Sequence, residues 1–550
     1  MLARGGVPEK SADFWGALQM LFKLSFINNI ITLYSYMKTI RVIICLLFTL
    51  TSLSMAQGHW WGASVGLGHN QPYVEQSHFN LHVQDENNQL VPLFLNSDGR
   101  YRWSDSAFIF SVKDGELTTS IPMTEVQAGT TLRDAYMAAQ AKYFPATGTL
   151  PDTLFFTMPQ YNTWIELMYN QNQADILRYA HAIIDNGFPP GVLMIDDNWQ
   201  RYYGNFDFKA ERFPDPKAMV DELHALGFKV MLWVCPFVSP DSPEYRDLEA
   251  KGYLLKNPHG GTAILNWWNG YSACYDLTNP AAAAHFVNVL KQVQADYGID
   301  GYKFDAGDNN CYASTPILAY DKTATTVDHT TSWAKIGLEF PFNEYRACWK
   351  MGGQPLVQRL GDKDYSWEAV QSLIPCMTAA GLLGYAYACP DMIGGGQWTS
   401  FLGINSDEFD QTLIVRSAQV HALMPMMQFS VAPWRVLSAE NLEIVKEMAI
   451  LHAKFAPYIM QYAHHAAKTG EPIVRCMEYQ YPHQGMEMIK DQFMLGDKYL
   501  VAPMTTPGTE RTVTLPKGTW RDEQGKRYRG GKTYTISVPL SRLPYFELVK

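Results

Sequence analysis

The sequence carries no excess of positive charge: 44 basic residues stand against 54 acidic ones, a formal charge of −10. A nucleic-acid partner is therefore not expected. It has no internal repeat and no low-complexity tract. No apolar stretch approaches the ~20 residues that a membrane-spanning helix needs, so stable membrane insertion is not expected either. No glycine-rich phosphate fingerprint follows the first strand-like run, which counts against a doubly wound nucleotide-binding sheet. Cysteine is scarce and scattered. Besides Cys45 there are Cys235, Cys274, Cys311, Cys348, Cys376, Cys389 and Cys476, with neither a zinc spacing nor a disulfide framework among them. Most read as small buried hydrophobes, although an exported chain has room for one or two bridges.

What is present is apolar bulk. Hydrophobic residues make up 47% of 550 positions and charged residues 18%. That excludes a disordered chain and fits one large enzyme domain with smaller satellites. Aromatic residues reach 13%, with 15 Trp and 31 Tyr. Such rings fill cores, and their flat faces with a polar rim also suit sugars.

A targeting segment reads from Met37. Lys38 and Arg41 are basic, Val42-Ile43-Ile44-Cys45-Leu46-Leu47-Phe48 is apolar, and Ser54-Met55-Ala56 ends in small residues. This three-part layout predicts a signal peptide over 37–56, cleaved after Ala56, and a secreted or periplasmic protein. Residues 1–36 then read as an over-extended start. The competing reading, a membrane anchor, is disfavoured by the shortness of the run.

The pattern predicts three parts: a β-sandwich over 57–157, a (β/α)₈ barrel over 158–472 and a β-sandwich domain over 473–550. In the first, Phe79-Asn80-Leu81-His82-Val83 and Phe108-Ile109-Phe110-Ser111-Val112 alternate, with Ser97-Asp98-Gly99 as a turn between them. In the second, strand-like runs alternate with helical periods. Tyr161–Ile165, Val192–Ile195, Lys229–Val234, Gly301–Asp305, 355–360, 384–389 and 424–429 are the candidate strands. Repeated βα units of this length suit a TIM barrel better than an open doubly wound sheet. In the third, Tyr499–Pro503, Arg511–Leu515 and Thr533–Val538 are strand-like.

Chemistry in such a barrel collects at the carboxyl ends of the strands. Three candidate strands end there in carboxylates: Asp196-Asp197, Asp305 and the Asp362-Lys363-Asp364 region. A single acidic residue after a strand often only caps the next helix. Three converging ends, surrounded by aromatics, point instead to glycoside hydrolysis, which uses two carboxylates of opposite protonation. Lys303 shares a strand face with Asp305 and is placed to keep it ionised. A structural ion pair inside the barrel is the plainer reading of Lys303.

These residues carry a family resemblance. Gly301-Tyr302-Lys303-Phe304-Asp305-Ala306-Gly307-Asp308 resembles the nucleophile segment of glycoside hydrolase family 31. Gly361-Asp362 followed by Trp367 resembles its acid/base segment. Ile393-Gly394-Gly395-Gly396, Gln492–Asp497 and Leu500–Pro503 resemble later blocks, in order. The likeness runs from about Tyr161 to the carboxyl end and is strongest to the branch containing the myogenesis-regulating glycosidase. With that branch the chain shares Ile195-Asp196-Asp197, Trp233-Val234, Pro236-Phe237-Val238, Trp267-Trp268-Asn269-Gly270, Pro390–Gly395 (with Asp391) and Met427-Gln428-Phe429-Ser430.

The resemblance implies a retaining α-glycosidase, acting without a metal or organic cofactor, that releases a terminal sugar from an oligosaccharide or glycoside. Asp305 maps to the nucleophile and Asp362 to the acid/base, with Asp364 as the fallback. Asp197 maps to the carboxylate that holds sugar hydroxyls, and Arg346 to the sugar-binding arginine. Arg359 is placed to support the acid. Trp233, Trp267, Trp268 and Trp434 are candidate ring platforms; Asp196, Asp391 and Gln428 complete the expected substrate-binding set. Two departures bear on the sugar. The α-glucosidase members carry a His near the end of the seventh strand, where this chain has Met426–Ser430 without one. They also carry a Trp two positions before the nucleophile, where this chain has Lys303. Both departures favour α-galactosides over α-glucosides, with α-glucosidase and α-xylosidase as alternatives. A sugar-binding protein that has lost catalysis is the reading from another class, and a metal-dependent barrel hydrolase would need a His/Asp cluster that these strand ends do not offer. The oligomeric state is not legible.

Overall fold

Runs of Val, Ile, Leu and Met form two of the barrel strands, and nearly every residue of all eight is buried, as in parallel strands covered by helices. In the computed structural model, which describes residues 58–84, 88–402 and 410–550 together with Met20, Met37 and Lys38, eight such strands lie parallel. They are β1 (Gln160–Asn162), β2 (Val192–Ile195), β3 (Lys229–Val234), β4 (Gly301–Phe304), β5 (Phe342–Tyr345), β6 (Val357–Arg359), β7 (Ala388–Cys389) and β8 (Gln428–Phe429). Their order is β7-β6-β5-β4-β3-β2-β1-β8. A parallel bridge between Met392 and Gln428 joins the two ends, and the Ile393 N–H donates to the Gln428 carbonyl at 2.9 Å. The sheet therefore closes into the barrel rather than staying open.

Helices return the chain between strands. Pro216–Ala225 and Pro280–Tyr297 both begin with proline, whose missing N–H costs nothing there, behind side-chain caps from Asp215 and Asn279. Gln173–Asp185, Thr326–Ile336, Trp367–Leu382 and Gln411–Ala422 cover other faces. A 31-residue helix, Ala439–Thr469, ends at Gly470 in the left-handed region (φ 77°). Among the described residues, no helix is long and apolar enough to cross a membrane. Apart from Met20, Met37 and Lys38, the expected leader and the segment before it lie outside the described residues.

The amino-terminal part builds two sheets. Trp60–Ser64, Gln89–Asn96, Arg100–Trp103 and Thr124–Gln127 form one, and Ser77–Asn80, Ile109–Lys113 and Glu116–Thr119 the other. Phe79, Leu90, Phe94, Phe108 and Phe110 fill the space between them. A strand from the barrel, Cys348–Trp349, adds in parallel to Gln89–Leu90. The sequence pattern predicts a β-rich region here and singles out no helix, and Leu132–Tyr143 is helical. Its start is a capping box: the Thr131 hydroxyl accepts from the Asp134 N–H, and the Asp134 carboxylate takes the Thr131 N–H in return.

The carboxyl-terminal part has a six-stranded sheet and a two-stranded ribbon, Glu510–Leu515 paired with Lys532–Ser537. Its core gathers Met494, Leu500, Val513, Trp520, Ile536 and Phe546. Six of the seven cysteines from Cys235 onwards are buried, as small hydrophobes would be.

Candidate active site

The carboxyl ends of β2, β3, β4 and β6 converge on a cavity of about 310 Å³. Trp164, Tyr169, Asp196, Asp197, Trp233, Trp268, Lys303, Asp305, Arg346, Asp362, Gln397 and Trp398 line it. At the end of β4 the chain turns sharply, with Ala306 (φ 57°) and Gly307 (φ 73°) both left-handed. A side chain at Gly307 would start 2.3 Å from the Trp333 ring. The turn leaves Asp305 facing the cavity and carries the chain on to Asp308.

Asp305 is buried and surrounded by donors. The Trp233 Nε1–H donates to its Oδ2 at 2.9 Å and the Ala306 N–H to its Oδ1 at 2.9 Å. Arg346 Nε lies 3.5 Å from Oδ1 and Lys303 Nζ 3.9 Å from Oδ2. Burial opposes ionisation of this carboxyl. Arg346, Lys303 and Arg359, with the Trp233 hydrogen bond, outweigh that and hold it well below the usual carboxylate range. Asp305 is thus an anion in a water-poor site, the state a nucleophile requires.

Each cation is itself fixed. Lys303 Nζ donates to Asp196 Oδ2 at 2.6 Å. Arg346 donates to Asp308 Oδ2 at 2.6 Å, and its guanidinium lies 4.5 Å from the centre of the Trp268 ring. Arg359, fully buried at the end of β6, donates at 2.8 Å to both Asp362 Oδ1 and Asp391 Oδ1. The Asp362 side chain is 30% exposed, so the arginine holds it while one face stays open to the cavity.

Asp197 behaves in the opposite way to Asp305. Tyr203 and Asn269 each donate to its Oδ2 at 3.0 Å, while its buried Oδ1 has no partner among the described residues. Burial first, then the neighbouring Asp196, push its carboxyl up to about 7. A free, buried oxygen on the cavity wall is a site for a ligand hydroxyl. Among the described residues, no cluster of His, Cys, Asp and Glu has a metal-holding arrangement.

The model of the glycosyl hydrolases family 31 TIM-barrel domain matches residues 156–462, and that of the family's C-terminal domain matches residues 470–547. The chain belongs to glycoside hydrolase family 31. The mouse myogenesis-regulating glycosidase is 32% identical over 74% of this chain and 58% of its own length. Alpha-glucosidase 2 of Bacillus thermoamyloliquefaciens is 26% identical over 68% of this chain and 50% of its own. The chain thus spans between half and three fifths of these two relatives. A Flavobacterium johnsoniae family 31 dextranase, solved with glucose, superposes with a TM-score of 0.78 at 19% identity, covering 89% of this chain and 65% of that one.

Among the residues singled out from the sequence of this family 31 chain, Asp305, Asp362, Asp196, Asp197, Lys303, Arg346, Trp233 and Trp268 all reach the cavity. Trp267, Gln428 and Asp391 do not line it. Trp267 stacks on Phe237 (ring centres 4.4 Å apart) and donates to Ser272. Gln428 is completely buried, donating to Gln160 and Glu344 beneath the cavity floor. Asp391 is consumed by Arg359 and the N–H groups of Lys363 and Gly396. It braces the Asp362 loop instead of meeting a ligand. Asp364, the fallback acid, accepts from Ser400 and lies off the cavity, and Trp434 packs against Tyr179 and Phe188. The sequence reading missed Trp164, Tyr169, Gln397 and Trp398 on the wall. The Gly394-Gly395-Gly396 block was the available signal for the last two, since a glycine turn at a strand end presents the residues just beyond it.

Proposed function

We propose that the protein is a retaining α-glycosidase that removes a terminal neutral sugar, with α-galactosides as the preferred substrates. The observation that carries the reading is the unequal treatment of two carboxylates on one cavity: Asp305 is buried among cations, while Asp362 keeps an open face beside Arg359. In the first step Asp305 attacks the anomeric carbon and the bond to the leaving oxygen breaks. Protonated Asp362 gives its proton to that oxygen, and a covalent glycosyl-enzyme forms. In the second, Asp362, now a base, takes a proton from water. The water oxygen bonds to the anomeric carbon, and Asp305 leaves as the carboxylate. Each step passes through a cationic sugar ring, which the surrounding anions stabilise.

The charge inventory bears on the sugar. The described cavity wall carries Asp196, Asp197, Asp305 and Asp362 against Lys303 and Arg346, and both cations are engaged by carboxylates. With Asp362 protonated and the Asp197 carboxyl pushed up to about 7, Asp196 and Asp305 offset the two cations, and no spare cation is left for a uronate or sulfonated sugar, so a neutral sugar fits best. The preference for galactose rests on Lys303 in place of an aromatic and on the absence of His from Met426–Ser430. The α-glucosidase named among the relatives keeps α-glucosides as the second choice. Export through the leader at 37–56 completes this reading, and amino-terminal sequencing of the exported protein, beginning at Gln57, checks it.

The test is a screen of nitrophenyl α-galactoside, α-glucoside and α-xyloside with the wild type and Asp305→Asn, with NMR of the first-formed sugar. Fastest release from the galactoside, an α-anomer as the initial product and a loss of several orders of magnitude in Asp305→Asn are expected. A β-anomer would mean inversion. Near-normal turnover in Asp305→Asn would remove Asp305 as nucleophile. Binding of all three glycosides without release would make the protein a lectin-like relic.

A further inference from the structure

The arm that carries Asp362 is not held by the barrel alone. Two consecutive residues at the start of an amino-terminal strand, Asn88 just before it and Gln89 its first, reach into it. The Asn88 side-chain oxygen accepts from the Gly361 N–H at 2.9 Å, one residue before Asp362. The Gln89 side-chain amide donates to two carbonyls at once, Arg346 at 2.7 Å and Arg359 at 3.0 Å. Both side chains are essentially fully buried, Asn88 at 1% and Gln89 at 0% exposure. These two carbonyls belong to the arginines that flank Asp305 and Asp362.

The surrounding backbone repeats the arrangement. The segment after Arg346 adds to the amino-terminal sheet, with Cys348 opposite Gln89 and Trp349 opposite Leu90. The Lys350 N–H and the Tyr385 hydroxyl both donate to the Leu90 carbonyl. The loops after β5 and β6 are therefore hung from one strand outside the barrel. Within the barrel, β6 is only three residues long and its pairing to β5 covers two positions. On its other side β6 pairs with β7 at two positions, and Asp391 holds the Lys363 N–H beyond Asp362; the Gly361 N–H, just before Asp362, is held by Asn88 from outside the barrel.

We propose that Asn88 and Gln89 are positioning residues for the proton donor, so that the amino-terminal sheet sets the reach of Asp362 towards the leaving oxygen. The inference rests on Asp362 as acid/base. Asn88 fixes the backbone just before Asp362, and Gln89 fixes the distance between the Arg346 and Arg359 backbones. Misplacing the acid by a fraction of an ångström weakens proton donation but leaves attack by Asp305 untouched. The need for proton donation depends on the leaving group: a phenolate poor at leaving requires it, and a dinitrophenolate does not. That dependence separates a positioning role from a merely structural one, which would slow every substrate alike.

The experiment measures kcat/KM for phenyl and 2,4-dinitrophenyl glycosides of the same sugar in wild type, Asn88→Leu, Asn88→Asp, Gln89→Met and Asp362→Ala. Since a well-placed general acid contributes about 10²–10⁴-fold, Asn88→Leu is expected to lose roughly tenfold or more on the phenyl glycoside and less than about threefold on the dinitrophenyl one. Asn88→Asp, which keeps the acceptor oxygen, recovers the ratio; Gln89→Met, which also releases the Arg346 backbone beside Asp305, lowers both substrates but the phenyl glycoside more, so its ratio shifts in the same direction as in Asn88→Leu. If Asn88→Leu does not fold, the ratio in Gln89→Met decides. Equal losses on both substrates overturn the proposal. Asp362→Ala is the control on the underlying reading. If that variant shows no leaving-group dependence, the acid/base assignment itself falls. If it shows one and the Asn88 and Gln89 variants do not, only the positioning role falls.

Discussion

Asp197 and Asp305 lie on one cavity, both buried, and their carboxyls move in opposite directions for identifiable reasons. Asp305 has Arg346 and Lys303 beside it; Asp197 has neutral donors and the negative Asp196. The consequences for stability have opposite signs. The Asp305 ion pairs contribute above its unfolded value of about 4, and that contribution is lost as the pH falls towards its depressed folded value. Asp197 costs stability progressively as the pH rises from about 4 to about 7, because the folded state holds its proton longer than the unfolded chain does. Asp197→Asn is therefore expected to raise the melting temperature more at pH 8 than at pH 4, by on the order of 1–3 kcal/mol in unfolding free energy, while abolishing tight sugar binding. Thermal melts at the two pH values check this; an equal change at both would mean that folding does not shift the Asp197 carboxyl. The same scale shows what a motif leaves open. Asp391, Gln428 and Trp267 sit in the right blocks of sequence, yet each lies one layer behind the cavity wall. Position along the chain marks a strand end, but which of its side chains meets solvent depends on the twist and depth of the strand.

At the scale of elements, legibility tracks the chemistry of the barrel interior. β2 and, after Lys229, β3 are continuous apolar runs; β4 is interrupted by Lys303 but stands out through the motif that leads into Asp305. The stretches 355–360, 384–389 and 424–429 contain β6, β7 and β8, each trimmed to two or three paired residues. β5 is absent from the candidate strands. Its sequence, Phe-Asn-Glu-Tyr, is half polar, because Asn343 braces the backbone at Val357 and Phe340, while Glu344 faces Arg359 (3.5 Å) and Gln428 (2.8 Å). A buried polar network replaces the apolar signature by which strands are recognised. Burial raises the Glu344 carboxyl even though Arg359 and Lys303 pull it down. β4 is registered against β5 with Lys303 opposite Glu344, and Gly301 makes the contact possible. A methyl group at Gly301 would stand 2.0 Å from the Phe342 carbonyl oxygen. Gly301→Ala is thus expected to push β4 and β5 apart, costing roughly 3 kcal/mol of stability and displacing Lys303 and Asp305 together. Urea unfolding alongside kcat measures both. Wild-type stability with full activity would mean that the strands separate freely.

The whole molecule couples its parts through shared side chains rather than linkers. Trp61, Val91 and Leu93 of the amino-terminal sheets, the barrel strands, and Phe493, Leu495 and Val501 of the carboxyl-terminal sheet belong to one continuous apolar core. Val327 and Trp349, from the barrel, are buried in the amino-terminal sandwich. The Glu471 carboxylate, where the long helix meets the carboxyl-terminal part, takes Arg133 at 2.6 Å and His465 at 2.7 Å. Three regions of different texture are readable from the sequence, since composition changes where sheets give way to βα units. Their interlocking is not, because nothing in the local pattern of 348–349 says that it will pair with residues 89–90. Multidomain chains usually unfold in steps. Here a step would expose half of a common core, so the sandwich, barrel and carboxyl-terminal sheets are expected to melt together. Calorimetry of the mature chain should give one transition. Trp349→Ala, which empties a fully buried site, should move that whole transition down, by about 3–5 kcal/mol in stability, rather than split off an early amino-terminal peak. Two resolved transitions in the wild type would mean that the sandwich folds by itself, and would leave the link between Gln89 and the acid arm free to loosen before the barrel does.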